Sequence, residues 1–254
     1  YYQWKNRGKS NREKENDFLI EKIIETYEKN RCVYGSPRIT QALKRQSISC
    51  SQPRVARLMR ANGIVAKTQR KFKATTNSNH TLPVAADLVG QAFGVDGPNK
   101  LWVGDITYID TDEGWLYLAK VMDAYNREVI GWAVDKRMTK DLVIKAMERA
   151  IRKRRPSQSP IFHSDRGSQY ASYAFRRLLT ENHIRQSMSG KGNCYDNAMA
   201  ESFFKTLKTE LIYQNKYQKR QEAKQDIFEY IEVFYNRQRL HSALGYKTPI
   251  EYGK

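Results

Sequence analysis

Apolar side chains recur at helical spacing in the first stretch of the chain. Phe18, Ile20, Ile23, Ile24 and Tyr27 punctuate an otherwise charged segment, which predicts a helix over residues 17–29. Ser36 and Pro37 read as the N-cap and first-turn proline of a second helix to about Gln46, with Ile39, Ala42 and Leu43 inward. A third helix runs from a Ser51 cap to Asn62, stops at Gly63, and turns Val55, Leu58 and Met59 inward. A polar stretch, 74–81, and a short helix expected over 82–93 follow. The pattern then changes period. Runs rich in Trp, Val, Ile and Tyr at 101–110 and 115–122 predict two strands joined by a turn at Asp112, Glu113 and Gly114, and 127–134 predicts a third. An amphipathic helix over 138–153 carries Leu142, Ile144, Ala146, Met147 and Ile151. After it come a short strand ending near Phe162, a helix over 171–182 and a short strand over 184–187. From about Asn197 a helix sets Ala200, Phe204, Leu207 and Leu211 in one stripe, and another helix is expected near 221–235.

Charge divides this plan unevenly. The 254 residues carry a formal net charge of +18, and between Lys29 and Ala86 there are 12 Lys and Arg but no Asp or Glu. A polyanionic partner is the natural reading, and the N-terminal third is where it would bind. The second and third helices form a helix-turn-helix-like pair that presents Arg54, Arg57 and Arg60 outward, followed by a basic arm with Arg70, Lys71 and Lys73. A small helical bundle with an arginine-rich surface is the bland alternative. The connection between the two helices exceeds a usual three- or four-residue turn, so DNA contact is better supported than base readout. The divisions expected are a basic helical domain and linker at 1–80, a catalytic core at 81–211 and a C-terminal helical, basic tail at 212–254 packed on that core.

Candidate chemistry lies in three acids. Asp105 sits inside an apolar strand run where a charge is out of place, Asp165 ends a short buried strand at a turn marked by Gly167, and Glu201 lies on a helix. Three carboxylates on two strands and a helix suit divalent cations and phosphoryl chemistry. Asp110, Asp112 and Glu113 belong to a hairpin turn, Asp123 ends a strand, and Asp196 reads as a helix cap. His163 reads equally as a contact to substrate or water and as a packed side chain. Lys205 and Lys208 share the stripe of Glu201 and suit DNA phosphates, as does Lys191 between Gly190 and Gly192. Arg237 and Arg239, in the closing YNRQRLHSALGYKTPIEY, are further DNA candidates, against a capped and packed terminal helix as the alternative.

Four motifs in order, DITYI, HSDRGSQY, GNCYDNAMAESFFKTLK and YNRQRLHSALGYKTPIEY, together with spacings of 59 and 35 residues between the acids, resemble the DDE transposase and retroviral-integrase superfamily. The likeness is greatest to the second-reading-frame transposases of bacterial copy-out, paste-in insertion sequences. YGSPRITQALKRQ and RVARLMRANGI extend it almost to the start. The resemblance implies an α/β, RNase H-like integrase catalytic core behind a small all-α helix-turn-helix-like domain. It implies Asp105, Asp165 and Glu201 as catalytic metal ligands, two Mg²⁺ ions that Mn²⁺ can replace, 3′-end nicking and strand transfer. Element-end DNA and target DNA are the implied partners, bound by a homo-oligomer. An RNase H-like nuclease and a DNA-binding regulator without catalysis are the competing functions.

The first residue is not Met, so the sequence reads as part of something longer, and the resemblance implies an upstream frame with a helix-turn-helix and a coiled coil. Cys32, Cys50 and Cys194 show no CxxC spacing and indicate neither a disulfide framework nor a structural zinc site. No apolar run approaches a membrane span, and YYQWKNRGKS lacks the apolar stretch of a signal peptide. A cytoplasmic, nucleoid-associated protein is expected.

Overall fold

The computed structural model describes residues 8–67, 83–90, 94–190 and 198–254. It divides into two compact units, Tyr1–Gln69 and Arg70–Lys254. In the first, α1 (Asn11–Lys29), α2 (Ser36–Arg45) and α3 (Gln52–Ala61) bury Leu19, Ile23, Tyr34, Ile39, Leu43, Val55 and Met59. Helix α1 starts six residues before the position 17 that the apolar period predicts. A capping box accounts for this: the Ser10 side chain accepts from the Glu13 amide, and Glu13 accepts from the Ser10 amide at 2.6 Å. Gly35, rather than Ser36, is the N-cap of α2, with Pro37 in its first turn. Ser51 caps α3 as expected, accepting from the Arg54 amide.

The second unit is built on a five-stranded mixed sheet with order β3-β2-β1-β4-β5. Strands β1 (Leu101–Ile109), β2 (Leu116–Asp123) and β3 (Val129–Asp135) form an antiparallel meander. Strands β4 (Ile161–Ser164) and β5 (Arg185–Met188) add in parallel on the other side of β1. The crossover helix α4 (Lys140–Arg154) packs Leu142, Val143, Ala146, Met147 and Ala150 against Ala119, Val121 and Ala133. The contact is close because of Gly131: a Cβ there would collide with the backbone of Ala146 and Ala150 on α4. Helices α5 (Ser168–Ala171) and α6 (Tyr173–Glu181) add Tyr170, Phe175 and Leu179, which close around Phe162 of β4. The helix expected over 82–93 is not formed in its described residues 83–90.

Helix α7 (Ala198–Glu210) buries Ala200, Phe203, Phe204 and Leu207, the predicted stripe widened by Phe203. After a 3₁₀ turn, Ile212–Gln214, helix α8 (Arg220–Phe228) continues into a π-helical segment, Glu229–Tyr235. Asn236 follows and pins this region to edge strand β3: its side chain accepts from the Val129 amide and donates to the Val129 carbonyl, both at 3.0 Å. A side-chain amide thus supplies the ladder bonds that an edge strand lacks. The short helix α9 (Pro249–Tyr252) ends the chain, and Asn126 donates to the Pro249 carbonyl at 3.1 Å. Among the described residues no helix is long and apolar enough to cross a membrane.

Candidate active site

Strand register brings the two aspartates together. Strands β1 and β4 pair in parallel through Leu101 with Ile161, Trp102 with Phe162 and Val103 with His163. Two residues beyond Val103 stands Asp105, and two residues beyond His163 stands Asp165, so the two aspartates stand level on neighbouring parallel strands, Asp105 in the middle of β1 and Asp165 just past the end of β4. The C-terminal end of β4, which Asp165 follows, is where open α/β sheets hold their ligands. Gly104 permits the approach, since a Cβ there would strike the ring of Phe162. Backbone amides fix both acids: Asp105 Oδ1 accepts from Ile106 at 2.8 Å, and Asp165 Oδ1 accepts from Gly167 at 3.0 Å.

The charges crowd one another. Burial pushes the Asp105 carboxyl well up from its ordinary range, the neighbouring Asp165 pushes it further, and Glu201 adds a smaller push in the same sense. Glu201 lies exposed in the first turn of α7, its own carboxyl raised by partial burial. Among the described residues, no three of His, Cys, Asp and Glu stand close enough together to hold a metal ion as they are. The two aspartates form the preset part of the site, and Glu201 faces it from the helix.

A buried cation lies behind the acids. Lys120 is opposite Asp105 in the β1–β2 ladder and is 1% exposed. Its Nζ, with no hydrogen-bond partner among the described residues, lies 5.4 Å from the ring centre of Phe203 and 5.6 Å from that of Phe204, the residues after Glu201 and Ser202 on α7. Burial pulls the ammonium down from its usual range, and Asp105 works against that pull. Tyr170 carries another buried polar atom without a hydrogen-bond partner among the described residues, its hydroxyl pushed well up by burial and then by the charges of Asp105 and Asp165.

Comparisons with known proteins show the family. The Integrase core domain family matches residues 95–194 and a second Integrase core domain family matches 201–254, while the HTH-like domain family matches 14–72. The chain is 42% identical over 230 residues to the transposase InsF for insertion sequence IS3A of Escherichia coli, covering 91% of this chain and 80% of that protein. The chain belongs to the IS3 family of transposases. It is also 42% identical over 249 residues to the transposase for insertion sequence element IS904 of Lactococcus lactis, covering 98% of each. An insertion element IS600 31 kDa protein of Shigella sonnei is 45% identical over 249 residues, 98% of this chain and 92% of that one. Among solved structures, a chain of the simian T-cell lymphotropic virus intasome superposes with a TM-score of 0.51 at 18% identity, over 87% of this chain and 70% of that one. This likeness shows the shared RNase H-like, integrase-type fold. The transposase is thus a polynucleotidyl transferase acting in DNA transposition.

The remaining candidates of this transposase fall into distinct environments. Arg57 and Arg60 are exposed on α3, whereas Arg54 turns back, its Nε donating to Asn16 at 3.0 Å and its Nη2 pairing with Glu15 at 3.1 Å. Arg70, Lys71, Lys73 and Lys191 lie outside the described residues, as does Asp196. Lys205 is exposed one turn after Glu201. Lys208 is 6% exposed, and its ammonium lies 4.6 Å from the ring centre of Tyr108, so it does not stand on the surface as its spacing predicted. Arg237 is exposed and donates to the Glu232 carbonyl. Arg239 is 4% exposed and holds both oxygens of Glu210, with Nη2 to Oε1 at 2.7 Å, an internal tie where its sequence position suggested an exposed base. His163 is fully buried, with Nδ1 2.9 Å from Ser187 Oγ, the packed alternative of the two sequence readings.

Sequence reasoning missed Lys120 and Tyr170. A signal for Lys120 existed, a lysine inside the apolar strand LYLAKVMD, as anomalous there as Asp105 in its own strand. Tyr170 had none, because a tyrosine is ordinary in a core.

Proposed function

We propose that Asp105, Asp165 and Glu201 are the catalytic metal ligands of this transposase and that they carry 3′-end nicking and strand transfer of insertion-sequence ends. The observation that supports this most is the register that sets Asp105 in the middle of β1 level with Asp165 just past the end of β4. The donor set fits a hard divalent cation: all three groups offer carboxylate oxygens, and the two aspartates crowd like charges that a cation would relieve. Two Mg²⁺ ions bound there, or Mn²⁺ in their place, would activate the attacking water or 3′-hydroxyl and neutralise charge on the departing oxygen.

The residues of the chain do the positioning. The Ile106 and Gly167 amides hold the aspartates by one oxygen each. Helix α7, anchored by Ala200, Phe203, Phe204 and Leu207, presents Glu201 within electrostatic reach of Asp105, with Lys205 one turn on for a phosphate. Exposed Arg57 and Arg60, the basic arm with Arg70, Lys71 and Lys73, and Lys191 and Arg237 supply further phosphate contacts in this reading. Residues 1–80 act as the DNA-binding part, 81–211 as the catalytic core and 212–254 as a tail packed upon it. Element ends and target DNA are the substrates, and at least two protomers assemble on paired ends, because each site holds one reacting phosphate. Action in the cytoplasm, on nucleoid DNA, follows.

Asp105→Asn, Asp165→Asn and Glu201→Gln test the assignment. Each should abolish nicking and joining of labelled element ends in Mg²⁺ while leaving binding to those ends within about threefold, because a ligand is lost but hardly any phosphate contact. Substantial activity in any one variant removes that residue from the role.

A further inference from the structure

The strand that carries Asp105 runs on into a cluster of aromatic side chains that the chemistry above does not use. Tyr108 follows Asp105 by three residues on β1, about 10 Å along the strand. Its ring meets that of Trp115 edge to face, with ring centres 4.9 Å apart. Trp115 is 47% exposed, and Tyr213, on the 3₁₀ turn after α7, is 45% exposed. Tyr213 stands within electrostatic reach of Tyr108, whose charge, after burial, holds the Tyr213 phenol up from its usual range. Trp115 thus packs on Tyr108 with Tyr213 nearby, and both keep part of their surface open to solvent.

The platform is braced. The hairpin that bears Trp115 is tied to the segment that bears Tyr213: the Asp112 amide donates to the Tyr217 carbonyl at 3.0 Å, and the Arg220 amide donates to Glu113 at 2.9 Å. Lys216 lies 3.5 Å from Asp112, so two of the three hairpin acids face basic residues, while Asp110 stays exposed. Beneath, the Lys208 ammonium sits over Tyr108 and within reach of the Asp105 charge.

We propose that Trp115, Tyr108 and Tyr213 form a stacking platform for one unpaired nucleobase of the DNA end, within about three nucleotides of the phosphate held at Asp105 and Asp165. The distance follows from the strand: about 10 Å corresponds to about three steps of 3.4 Å along one DNA strand. The chemistry follows from the surfaces, since every base offers a π-face and aromatic side chains bind bases without regard to sequence. A base must leave its duplex stack to reach the rings, and a frayed end makes that easier. The inference rests on the reading of Asp105 and Asp165 as the place of the reacting phosphate.

The test uses the full chain with Mg²⁺ and duplex element ends carrying 5-iodouracil at each of the four nucleotides flanking the processed phosphate. Near-ultraviolet irradiation should crosslink one of these positions to a peptide containing Trp115 or Tyr213. Trp115→Leu should lower kcat/KM for end processing by about five- to a hundredfold, the range of a lost base–aromatic stack. Trp115→Phe should keep most of the activity, and a mismatch at the crosslinked position should recover part of the loss in Trp115→Leu. Crosslinks confined to other peptides, with Trp115→Leu as active as wild type, overturn the platform while leaving the metal-ligand assignment standing. A Trp115→Leu protein that merely loses self-association without DNA overturns it too and assigns the patch to a second copy of the chain. Failure of the wild-type chain to process any end would overturn the proposed function and this inference together.

Discussion

Lys120 stands directly across the β1–β2 ladder from Asp105, with its buried ammonium between the strand that bears one catalytic candidate and the helix that bears another. The same row continues across the sheet to Trp132 on β3. A buried ammonium without a hydrogen bond is costly, so its presence is better explained by the acids it serves than by stability. Lys120→Met keeps the volume and the contacts to Phe203 and Phe204 while removing the charge. It should leave the melting temperature within a few degrees of wild type and lower end joining by about 10- to 100-fold, the usual effect of losing a residue that supports metal ligands. Lys120→Ala opens a cavity and should also cost about 2–4 kcal/mol in denaturant unfolding. Wild-type joining by Lys120→Met would reduce the lysine to packing.

Arg239 and Glu210 make a prediction of the opposite kind. The guanidinium lies 4% exposed against both oxygens of Glu210, and the Tyr230 hydroxyl donates to the same carboxylate at 2.7 Å. Arg239→Ala strands a buried carboxylate and should destabilise the second unit by about 3–5 kcal/mol. Its DNA binding, measured on protein that remains folded, should keep the wild-type salt dependence. Arg239→Met combined with Glu210→Gln should recover most of the lost stability, because no unpaired charge is left and the glutamine can still accept from Tyr230. A flattened salt dependence in Arg239→Ala would return this arginine to the DNA surface.

These two residues show where sequence reading stops. Period and breaker residues made the helices and strands legible, because apolar side chains must point one way whatever covers them, and Gly63 and the hairpin at Asp112–Gly114 end elements by backbone geometry alone. Asp105 stood out because an acid in an apolar strand needs a reason. Lys208 and Arg239 did not stand out, since a basic residue at a regular spacing looks alike whether it meets phosphate or a buried partner, and Tyr108 and Glu210 lie 100 and 29 residues away from them. The early start of α1 was hidden for a related reason: Ser10 and Glu13 bond to backbone amides and leave no apolar trace. The helix expected over 82–93 rested on local pattern, whereas in the structure the Leu88 amide donates to Ser187 on β5 at 2.9 Å.

Two glycines separate backbone from side-chain crowding. At Gly131 the obstacles to a Cβ are the Ala146 carbonyl and the Ala150 amide of α4, which cannot move without unseating the helix. At Gly104 the obstacle is the ring of Phe162. Gly131→Ala should therefore cost at least about 3 kcal/mol, the upper part of the overpacking range, and yield little folded protein. Gly104→Ala should be destabilised but partly rescued by Phe162→Leu, so that the double variant melts above the Gly104→Ala single. Equal and additive losses in the pair would show that the crowding is not with Phe162.

The helical unit offers a test of how DNA is held. Arg57 and Arg60 project from α3 into solvent, while Arg54, two positions from the Ser51–Gln52 start of that helix, is drawn back to Glu15 and Asn16 on α1. Spacing alone makes the three arginines equivalent; the contacts do not. Each phosphate contact releases condensed counterions and adds about 0.9 to the slope of log K against log salt on duplex DNA. Arg57→Gln with Arg60→Gln should therefore flatten that slope by up to about 1.8 and weaken binding to element ends and unrelated duplex alike. Arg54→Gln should leave the slope unchanged and cost at most about 1 kcal/mol of stability, since its partner Glu15 is largely exposed. Salt titrations by fluorescence anisotropy on one end duplex and one unrelated duplex distinguish the cases. A slope that falls with Arg54→Gln and not with the double variant would mean that the DNA approaches along α1 instead of α3.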